Sequence, residues 1–343
     1  MSVKNQVIED EYAIYESDCM FVMPNIPDNS IDFSVYSPPF AGLYNYSSSE
    51  NDFSNCETKE QFLEQYEYLI KEIARVTKPG RITAVHIAEV INSKSGHLWD
   101  FPHEVILLHE KYDLVYRNRI TIWKEPLKVR MRTMVKSLMH KLIVEDSTEC
   151  FTAMPDYVLI FKKKGINEVP VIHPYGITHY AGATPFLPAH IETYGPYEDF
   201  LKKWKGFKGD PRGNKLSHVT WQRYASAVWD DIRIDEVLHY KESKDEDDEK
   251  HVHPLQLDVI DRLVELYSNP DETVLTPFAG VMSEVYSAVR LGRKAIGIEL
   301  KNTYFKQGIK NLQELKHLIN VQQDINFDGP VTYIDPVDEN DIE

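Results

Sequence analysis

Two short segments of the chain hold the residue types that could do chemistry. They are Ser37, Pro38, Pro39 and Phe40 near the start, and Thr276, Pro277, Phe278, Ala279 and Gly280 near the end. Prolines cannot donate backbone hydrogen bonds, so the carbonyl groups near Ser37 lack local partners and can point at a ligand. Glycine in the second segment lets the backbone approach a ligand closely. These residue types indicate recognition of a polar ligand by acceptor groups on a stiff backbone.

Each segment follows a predicted strand. Residues 31–36 favour β-branched and aromatic side chains, which predicts a strand that the two prolines end. Residues 272–276 predict another strand, followed by a helix at 283–291 and a strand at 294–299. In this βαβ unit Glu299 ends the second strand and can accept both hydroxyl hydrogens of a ribose. Ligands bind at the carboxyl ends of strands in open α/β sheets, so we expect one crevice beside both segments if their strands are neighbours.

The two motifs, in this order and about 240 residues apart, resemble those of the β-class amino-methyltransferases of DNA. The resemblance implies methylation of cytosine N4 or adenine N6 by S-adenosylmethionine, on a base flipped out of double-stranded DNA in a specific sequence. It implies that the Ser37 hydroxyl and the Pro38 carbonyl accept the two amino hydrogens. Pro39 keeps the turn stiff, and Phe40 stacks on the base. An RNA or small-molecule methyltransferase and a non-catalytic nucleic-acid binder are the alternatives.

The methylated base is indicated by one residue. In the resembling family, serine as the first residue of the motif favours cytosine N4, whereas aspartate or asparagine favours adenine N6. Ala41 departs from the tryptophan that often follows in the cytosine pattern. We therefore favour cytosine N4 slightly, with adenine N6 as the alternative.

The resemblance also implies which residues hold S-adenosylmethionine. They are Asp18, Cys19, His251, Thr276, Pro277, Phe278, Ala279, Gly280, Glu299 and Leu300. Three positions depart from the family pattern: Ser17 stands for a glycine, Thr276 for an aspartate and Met282 for a second glycine. The departures at Thr276 and Met282 concern the contacts to the methionine part of the cofactor. Asp18 could instead cap a helix.

Strands and helices alternate along the chain. Strands are predicted at 12–15, 31–36, 82–87, 114–123, 156–162, 272–276 and 294–299. We therefore predict an α/β fold with a mostly parallel seven-stranded sheet. The resemblance implies a circularly permuted Rossmann-like methyltransferase fold with an inserted target-recognition region. The expected divisions are a catalytic half at 1–123, the target-recognition region at 124–240 with strand 156–162 returning to the sheet, a cofactor half at 241–320 and an acidic tail at 321–343.

Basic residues are dense between positions 124 and 141, with only Glu125 opposing them. With one residue from a second basic cluster near position 212, they are candidate DNA-phosphate contacts: Lys124, Lys128, Arg130, Arg132, Lys136, Lys141 and Arg212. A solvated helix face is the alternative.

The net charge of −16 does not exclude a nucleic-acid partner, because residues 242–249 and 335–343 hold ten of those charges.

The three cysteines lack metal-binding spacing and none follows a proline, which argues against cytosine C5 methyltransferases. We expect no metal, since His251 and His253 have no further ligands at tetrahedral spacing.

The chain has no signal peptide or membrane-spanning run, which favours the cytoplasm of a bacterium or a phage-infected cell. The resemblance adds a homodimer as an option.

Overall fold

The computed structural model describes residues 2–39, 56, 58–91, 98–243 and 254–324. Its strands are β1 (Asn5–Ile8), β2 (Tyr12–Glu16), β3 (Ile31–Tyr36), β4 (Thr77–Ile87), β5 (Val90–Ile91), β6 (Leu98–Trp99), β7 (Leu114–Ile122), β8 (Asp156–Lys163), β9 (Val228–Trp229), β10 (Thr273–Thr276) and β11 (Lys294–Glu299). Its α-helices are α1 (Cys19–Val22), α2 (Lys59–Val76), α3 (Phe101–Lys111), α4 (Pro126–Thr133), α5 (Leu142–Glu145), α6 (Pro188–Tyr194), α7 (Tyr197–Trp204), α8 (Lys215–Tyr224), α9 (Leu257–Tyr267), α10 (Ser283–Arg290) and α11 (Asn302–Asp324).

The main sheet has the strand order β1-β2-β11-β10-β3-β4-β8-β7-β9. Strands β2, β11, β10, β3 and β4 run parallel, and β8 is antiparallel to both of its neighbours. The prediction of a mostly parallel α/β fold is confirmed. The count of seven strands is wrong, because two short edge strands extend the sheet to nine. β1 pairs antiparallel with β2, and the two-residue β9 pairs with β7.

The early and late motifs lie at one edge of the sheet. Val274 of β10 pairs with Phe33 of β3, and Leu275 pairs with Ser34, in parallel register. Parallel neighbours end at the same edge, so the residues after Tyr36 and after Thr276 leave the sheet side by side. This is the chain order expected of a permuted fold, in which the catalytic strand comes first and the cofactor-binding βαβ unit comes last.

Helices cover both faces of the sheet, and a hydrophobic core lies under each layer. On one face α9, α10 and α11 bury apolar side chains such as Ile260, Val285 and Phe305. On the other face α2 and α3 bury Phe62, Leu69 and Val105. The helical spacing of apolar residues in α2 predicted its buried face, because residues three and four apart share one side of a helix.

The boundary between α2 and β4 differs from the prediction. We expected Pro79 and Gly80 to end the helix and the next strand to begin at Ile82. The helix ends at Val76 and the strand begins at Thr77. Thr77 already has an extended backbone, and its hydroxyl donates to the Ile73 carbonyl at 2.7 Å, which satisfies the last turn of the helix. A residue before proline also disfavours the helical conformation.

The region at 124–240 contributes both to the sheet and to a helical unit beside it. Its strand β8 lies between β4 and β7 in the main sheet. Helices α6, α7 and α8 pack around a small core of Phe186, Phe200, Leu216 and Val219. The fully buried Arg262 connects this region to α9, because it donates to the Ala181 carbonyl at 2.7 Å and to the Asp231 carboxylate at 2.9 Å.

In the part of the chain that the structure describes, none of the helices combines the length and the apolar composition needed to cross a bilayer.

Candidate functional site

Four neighbouring parallel strands end at one edge of the sheet. β2 is followed by Ser17, β11 ends at Glu299, β10 ends at Thr276, and β3 is followed by Ser37. The Ser17 amide donates to the Glu299 carbonyl at 2.9 Å, which extends the β2–β11 pairing to the edge. Residues separated by more than 200 positions therefore converge on one edge, where open α/β sheets bind ligands.

The Ser37 hydroxyl belongs to a buried polar chain. Its Oγ lies 2.7 Å from Nδ1 of His86 on β4, and Nε2 of that histidine lies 3.4 Å from Oδ2 of Asp156 on β8. The other carboxylate oxygen of Asp156 accepts a hydrogen bond from Lys124 at 2.6 Å. Sequence reasoning missed His86 and Asp156. The available signals were a lone histidine inside a predicted buried strand and an acid at the start of another.

The charge state of Asp156 follows from its neighbours. Burial alone would raise the pKa of this carboxyl, but the Lys124 ammonium and the nearby His86 side chain hold its pKa below the usual range. Asp156 is therefore ionised at neutral pH. A buried carboxylate that only accepts hydrogen bonds faces His86 from the side opposite Ser37.

The backbone that presents Ser37 is anchored by the residue before it. Tyr36 is fully buried, and its hydroxyl lies 3.2 Å from the Tyr66 hydroxyl and 3.3 Å from Nε2 of His109. Its ring packs against Phe278 of the late motif with ring centroids 6.0 Å apart. The two motifs thus contact each other directly. Pro38 is buried and Pro39 is half-buried, whereas Phe40 lies outside the described residues.

The late motif forms a tight turn that Glu299 holds in place. Oε2 of Glu299 accepts the Gly280 amide at 2.7 Å, and Oε1 accepts the Lys301 amide at 2.7 Å. The Ala279 amide donates to the Ile298 carbonyl at 2.9 Å. Gly280 has φ +52°, and a Cβ there would meet no atom within 4 Å. The glycine therefore borders open space. A carboxylate oxygen can accept more than one hydrogen bond, so this arrangement is compatible with ligand hydroxyls.

Two buried hydroxyls at the same edge fit a polar ligand. Oγ of Ser17 and Oγ1 of Thr276 are buried and have no hydrogen-bond partner among the described residues. They flank the end of β11, because β2 and β10 are its two neighbours. Buried hydroxyls without partners are costly, so a ligand that bonds them would stabilise the site. Thr276, which replaces the family's aspartate, thus keeps a polar group at this position.

Glu284 adds a second carboxyl below the turn. Burial raises its pKa to about 8, and the negative charge of Glu299 adds to the shift. Glu284 is therefore mostly neutral at pH 7 while Glu299 provides the charge. Two acids in different environments at one site can have different protonation states.

Asp18 and Cys19 follow β2 at the crevice edge. Oδ1 of Asp18 accepts the Met20 amide at 2.8 Å, so it caps α1, which was the structural alternative for this residue. Burial raises the pKa of both Asp18 and the Cys19 thiol. Contact of these two residues and of Leu300 with a cofactor remains a prediction.

The Met282 side chain does not obstruct the edge of the sheet where the two motifs meet. This residue has a left-handed backbone with φ +70°, a conformation in which the family's glycine costs nothing. Its side chain is fully buried and points at α11 and β11, since a Cβ on Gly308 would lie 2.3 Å from its Cγ and one on Gly297 would lie 3.2 Å from its sulfur. Glycines at those two positions make room for the methionine.

The basic candidates lie in different settings. Lys128, Lys136, Lys141 and Arg212 are exposed, whereas Arg130 is half-buried. Lys141 lies 3.4 Å from Glu145, and Arg212 forms a bidentate pair with Asp210. Lys124 is committed to Asp156, and the Arg132 side chain is outside the description. The DNA contacts stay predictions.

His251 lies outside the described residues, so its role also stays a prediction. Within residues 2–39, 58–91, 98–243 and 254–324, no three histidine, cysteine or acidic side chains are placed to hold a metal ion.

Comparison with known proteins assigns the chain to a family. The DNA methylase family model for N6 and N4 enzymes matches residues 31–310. The type II methyltransferase M.BglII of Bacillus subtilis is 25% identical over 295 residues, which is 85% of this chain and 66% of that protein. The chain thus spans slightly less than two thirds of the length of this relative.

Two solved structures share the fold. The cytosine-N4-specific PvuII DNA methyltransferase superposes with a TM-score of 0.56 at 14% identity, covering 93% of this chain and 95% of that one. TTHA0409 of Thermus thermophilus, complexed with S-adenosyl-L-methionine, gives a TM-score of 0.53 at 18% identity, covering 87% and 94%. The family model covers most of the chain, and both of its motif segments meet at one edge of the sheet. The chain belongs to the N6/N4 DNA methylase family.

Proposed function

We propose that the protein is an S-adenosylmethionine-dependent DNA methyltransferase that modifies an exocyclic amino group in a specific sequence. The supporting observation is the meeting of two groups at one edge of the sheet. Ser37 follows β3, and the Gly280 turn held by Glu299 follows the neighbouring strand β10. A serine acceptor beside a nucleoside-binding turn suits amine methylation, because the amine and the methyl donor must approach each other.

The cofactor half fits the methyl donor. Glu299 can accept hydrogen bonds from ribose hydroxyls, the open space at Gly280 admits the ligand, and the hydroxyls of Ser17 and Thr276 are available to its polar groups. Bound S-adenosylmethionine supplies an electrophilic methyl group on sulfur. TTHA0409, which shares the fold, is known in complex with this cofactor.

The catalytic half orients the amine. The nitrogen lone pair of an exocyclic amine is delocalised into the base and must be localised on nitrogen before it attacks. Ser37 Oγ and the Pro38 carbonyl accept the two amino hydrogens and favour a pyramidal nitrogen. Phe40 stacks on the base after the base leaves the duplex. Alignment of this kind can supply about 7 kcal/mol or more of the barrier reduction, so no covalent nucleophile is needed.

Cytosine N4 is the favoured target and adenine N6 the alternative. Serine at position 37 supports cytosine, and the PvuII enzyme, which shares the fold, is specific for cytosine N4. A serine acceptor serves either amine, so adenine N6 is kept. Double-stranded DNA is the proposed partner, bound through the exposed Lys128, Lys136 and Lys141. A homodimer and a cytoplasmic location stay predictions.

One experiment separates these options. The full chain is incubated with S-adenosylmethionine and unmethylated genomic DNA or total RNA, and the digested nucleosides are analysed by mass spectrometry. We expect N4-methylcytosine from DNA. N6-methyladenine from DNA would show that adenine is the methylated base. Methylation of RNA alone would contradict DNA as the substrate. The absence of a methylated product from both DNA and RNA would contradict the proposed methyltransferase activity.

The Ser37→Ala variant tests the proposed acceptor. Turnover should fall by about 10²-fold or more while cofactor affinity is kept, because the lost contact acts on the amine. Ser30→Ala is the matched control, since Ser30 lies before the other end of β3 and its hydroxyl bonds only the Pro27 carbonyl. Equal activity of Ser37→Ala and the wild type would remove Ser37 from the mechanism.

A further inference from the structure

The sheet register places His86 between Ser37 and Asp156. Tyr36 pairs with Val85, so the next residues of β3 and β4, Ser37 and His86, are neighbours. His86 pairs with Val158 of the antiparallel β8, and Asp156 lies two residues along that strand. Residues two apart share one face of a strand, so the Asp156 side chain comes back to the imidazole. Three strands therefore place Ser37, His86 and Asp156 in one line of polar contacts.

The acid decides which nitrogen of His86 carries the proton. Asp156 is ionised, because Lys124 and His86 hold its pKa low against the effect of burial. Nε2 of His86 lies 3.4 Å from Oδ2 of Asp156 without a well-aligned hydrogen bond, and the negative charge of that carboxylate favours a hydrogen over a lone pair on Nε2 of the neutral imidazole. Nδ1 is then an acceptor, and the group 2.7 Å from it, Ser37 Oγ, must donate its hydroxyl hydrogen.

The direction of the hydrogen bond between Ser37 and His86 determines whether the serine hydroxyl can accept hydrogens from a ligand. A serine hydroxyl can turn its hydrogen toward a ligand or away from it. When the hydrogen is committed to Nδ1, both lone pairs of Ser37 Oγ face away from His86 and are available to an amine. If Nδ1 carried the proton instead, it would donate to Oγ, and the serine hydrogen would be free to point at the amine.

We propose that His86, Asp156 and Lys124 are positioning residues that hold Ser37 as a hydrogen-bond acceptor for the substrate amine. Lys124 neutralises Asp156 and occupies one of its oxygens at 2.6 Å, which directs the other oxygen to His86. The role in turnover rests on the proposed methyltransferase function. The direction of the hydrogen bonds does not, since it is a property of the free protein.

The first test reads the tautomer without any ligand. Nitrogen-15 NMR of imidazole-labelled protein should show His86 with a protonated Nε2 and an unprotonated Nδ1, the signal being assigned by its absence in His86→Asn. In Asp156→Asn, Lys124 takes the amide oxygen and the amide NH2 faces Nε2, so the tautomer should switch to Nδ1–H. A protonated Nδ1 in the wild type, or no change in Asp156→Asn, would overturn the proposal.

The second test reads turnover. His86→Asn keeps an acceptor near the Nδ1 position and should retain turnover within about tenfold, whereas His86→Leu should lose about 10²-fold in kcat with the cofactor Kd unchanged. Asp156→Asn should lose kcat to a similar degree. His103→Asn, at an exposed residue of α3, is the matched control. Equal kcat in His86→Leu and the wild type would overturn the role of the histidine.

Folding and the underlying activity are checked separately. Thermal unfolding shows whether each variant is folded, and if Asp156→Asn is not, the His86→Asn and His86→Leu pair still decides the role in turnover. A wild-type protein that shows the expected tautomer but methylates nothing would contradict the proposed function and leave the polarity of the hydrogen bonds standing. An active wild-type protein whose His86 carries its proton on Nδ1 would contradict only the positioning role of His86, Asp156 and Lys124.

Discussion

The Glu299 carboxylate holds the Gly280 backbone, because its Oε2 accepts the glycine amide at 2.7 Å. The two residues are 19 positions apart, and the helix α10 lies between them. The same carboxylate accepts the Lys301 amide at 2.7 Å. Glu299 therefore shapes the turn that we propose to bind the cofactor, so its removal should affect cofactor binding before it affects chemistry.

Glu299→Gln should weaken S-adenosylmethionine binding by about 10- to 100-fold, because hydrogen bonds to a charged group are worth about 1.5–3 kcal/mol. The amide removes the charge and turns one acceptor into a donor that opposes a backbone amide. Isothermal titration of the cofactor measures the change, with the exposed Glu314→Gln as control. An unchanged Kd would show that the cofactor binds elsewhere.

Met282 and Gly308 should be energetically coupled. A Cβ on Gly308 would come within 2.3 Å of Met282 Cγ, so Gly308→Ala should be strongly destabilising in the wild type. In the Met282→Gly protein, Gly308→Ala should be tolerated, because no methionine side chain then occupies the space that the added methyl group needs. Urea unfolding of the four proteins gives the coupling free energy, expected at about 1–3 kcal/mol for residues in direct contact. Additive effects would contradict the packing.

Met282→Gly alone should also lower stability. It relieves a left-handed backbone that costs a non-glycine residue about 1–2 kcal/mol, but it removes a fully buried side chain whose loss costs about 2–5 kcal/mol. The cavity therefore outweighs the relief. A stabilised Met282→Gly protein would show that the strain is the larger effect.

Glu284 should make stability fall with rising pH. Burial raises the pKa of Glu284 to about 8 in the folded protein, against an ordinary value of 4.5. Between these values the folded chain keeps the proton and the unfolded chain loses it, so rising pH favours unfolding. The free energy of unfolding should fall by on the order of 1 kcal/mol per pH unit from about pH 5 to 8 and then level off.

Glu284→Gln should remove this dependence, because glutamine stays neutral at every pH. Urea unfolding of both proteins at four pH values across the window measures the difference. The Glu314→Gln control should retain the wild-type slope. Parallel slopes for the wild type and Glu284→Gln would mean that this carboxyl ionises normally in the folded chain.

Arg262 should be a large contributor to stability. Its guanidinium is fully buried, bonds Asp231 at 2.9 Å and lies 4.9 Å from the ring centres of Tyr224 and Trp229. Arg262→Met leaves buried acceptors without this donor, so it should cost about 3–5 kcal/mol in chemical unfolding. Arg212→Met, at an exposed ion pair, should change stability by less than about 1 kcal/mol. Similar losses in both variants would contradict this role of Arg262.

The amino-acid sequence by itself determined the local elements and the two motifs. Ile31–Tyr36 and Lys294–Glu299 are strands with the predicted bounds, because short apolar runs bounded by residues that end a strand are local signals. The ends of these strands and the Gly280 turn were predictable for the same reason. Ser37, Gly280 and Glu299 were therefore identified as candidate site residues without coordinates.

Only the tertiary structure determined which distant side chains form the line of polar contacts that begins at Ser37. His86 and Asp156 meet because β8, from the inserted region, pairs antiparallel with β4 in a particular register. A shift of β8 by one residue would turn the Asp156 side chain to the face of the sheet opposite His86, and no local pattern specifies that pairing. The fit of Met282 against Gly308 likewise depends on how α11 packs. Strand identity is set by neighbours along the chain, whereas hydrogen-bond partners are set by neighbours in space.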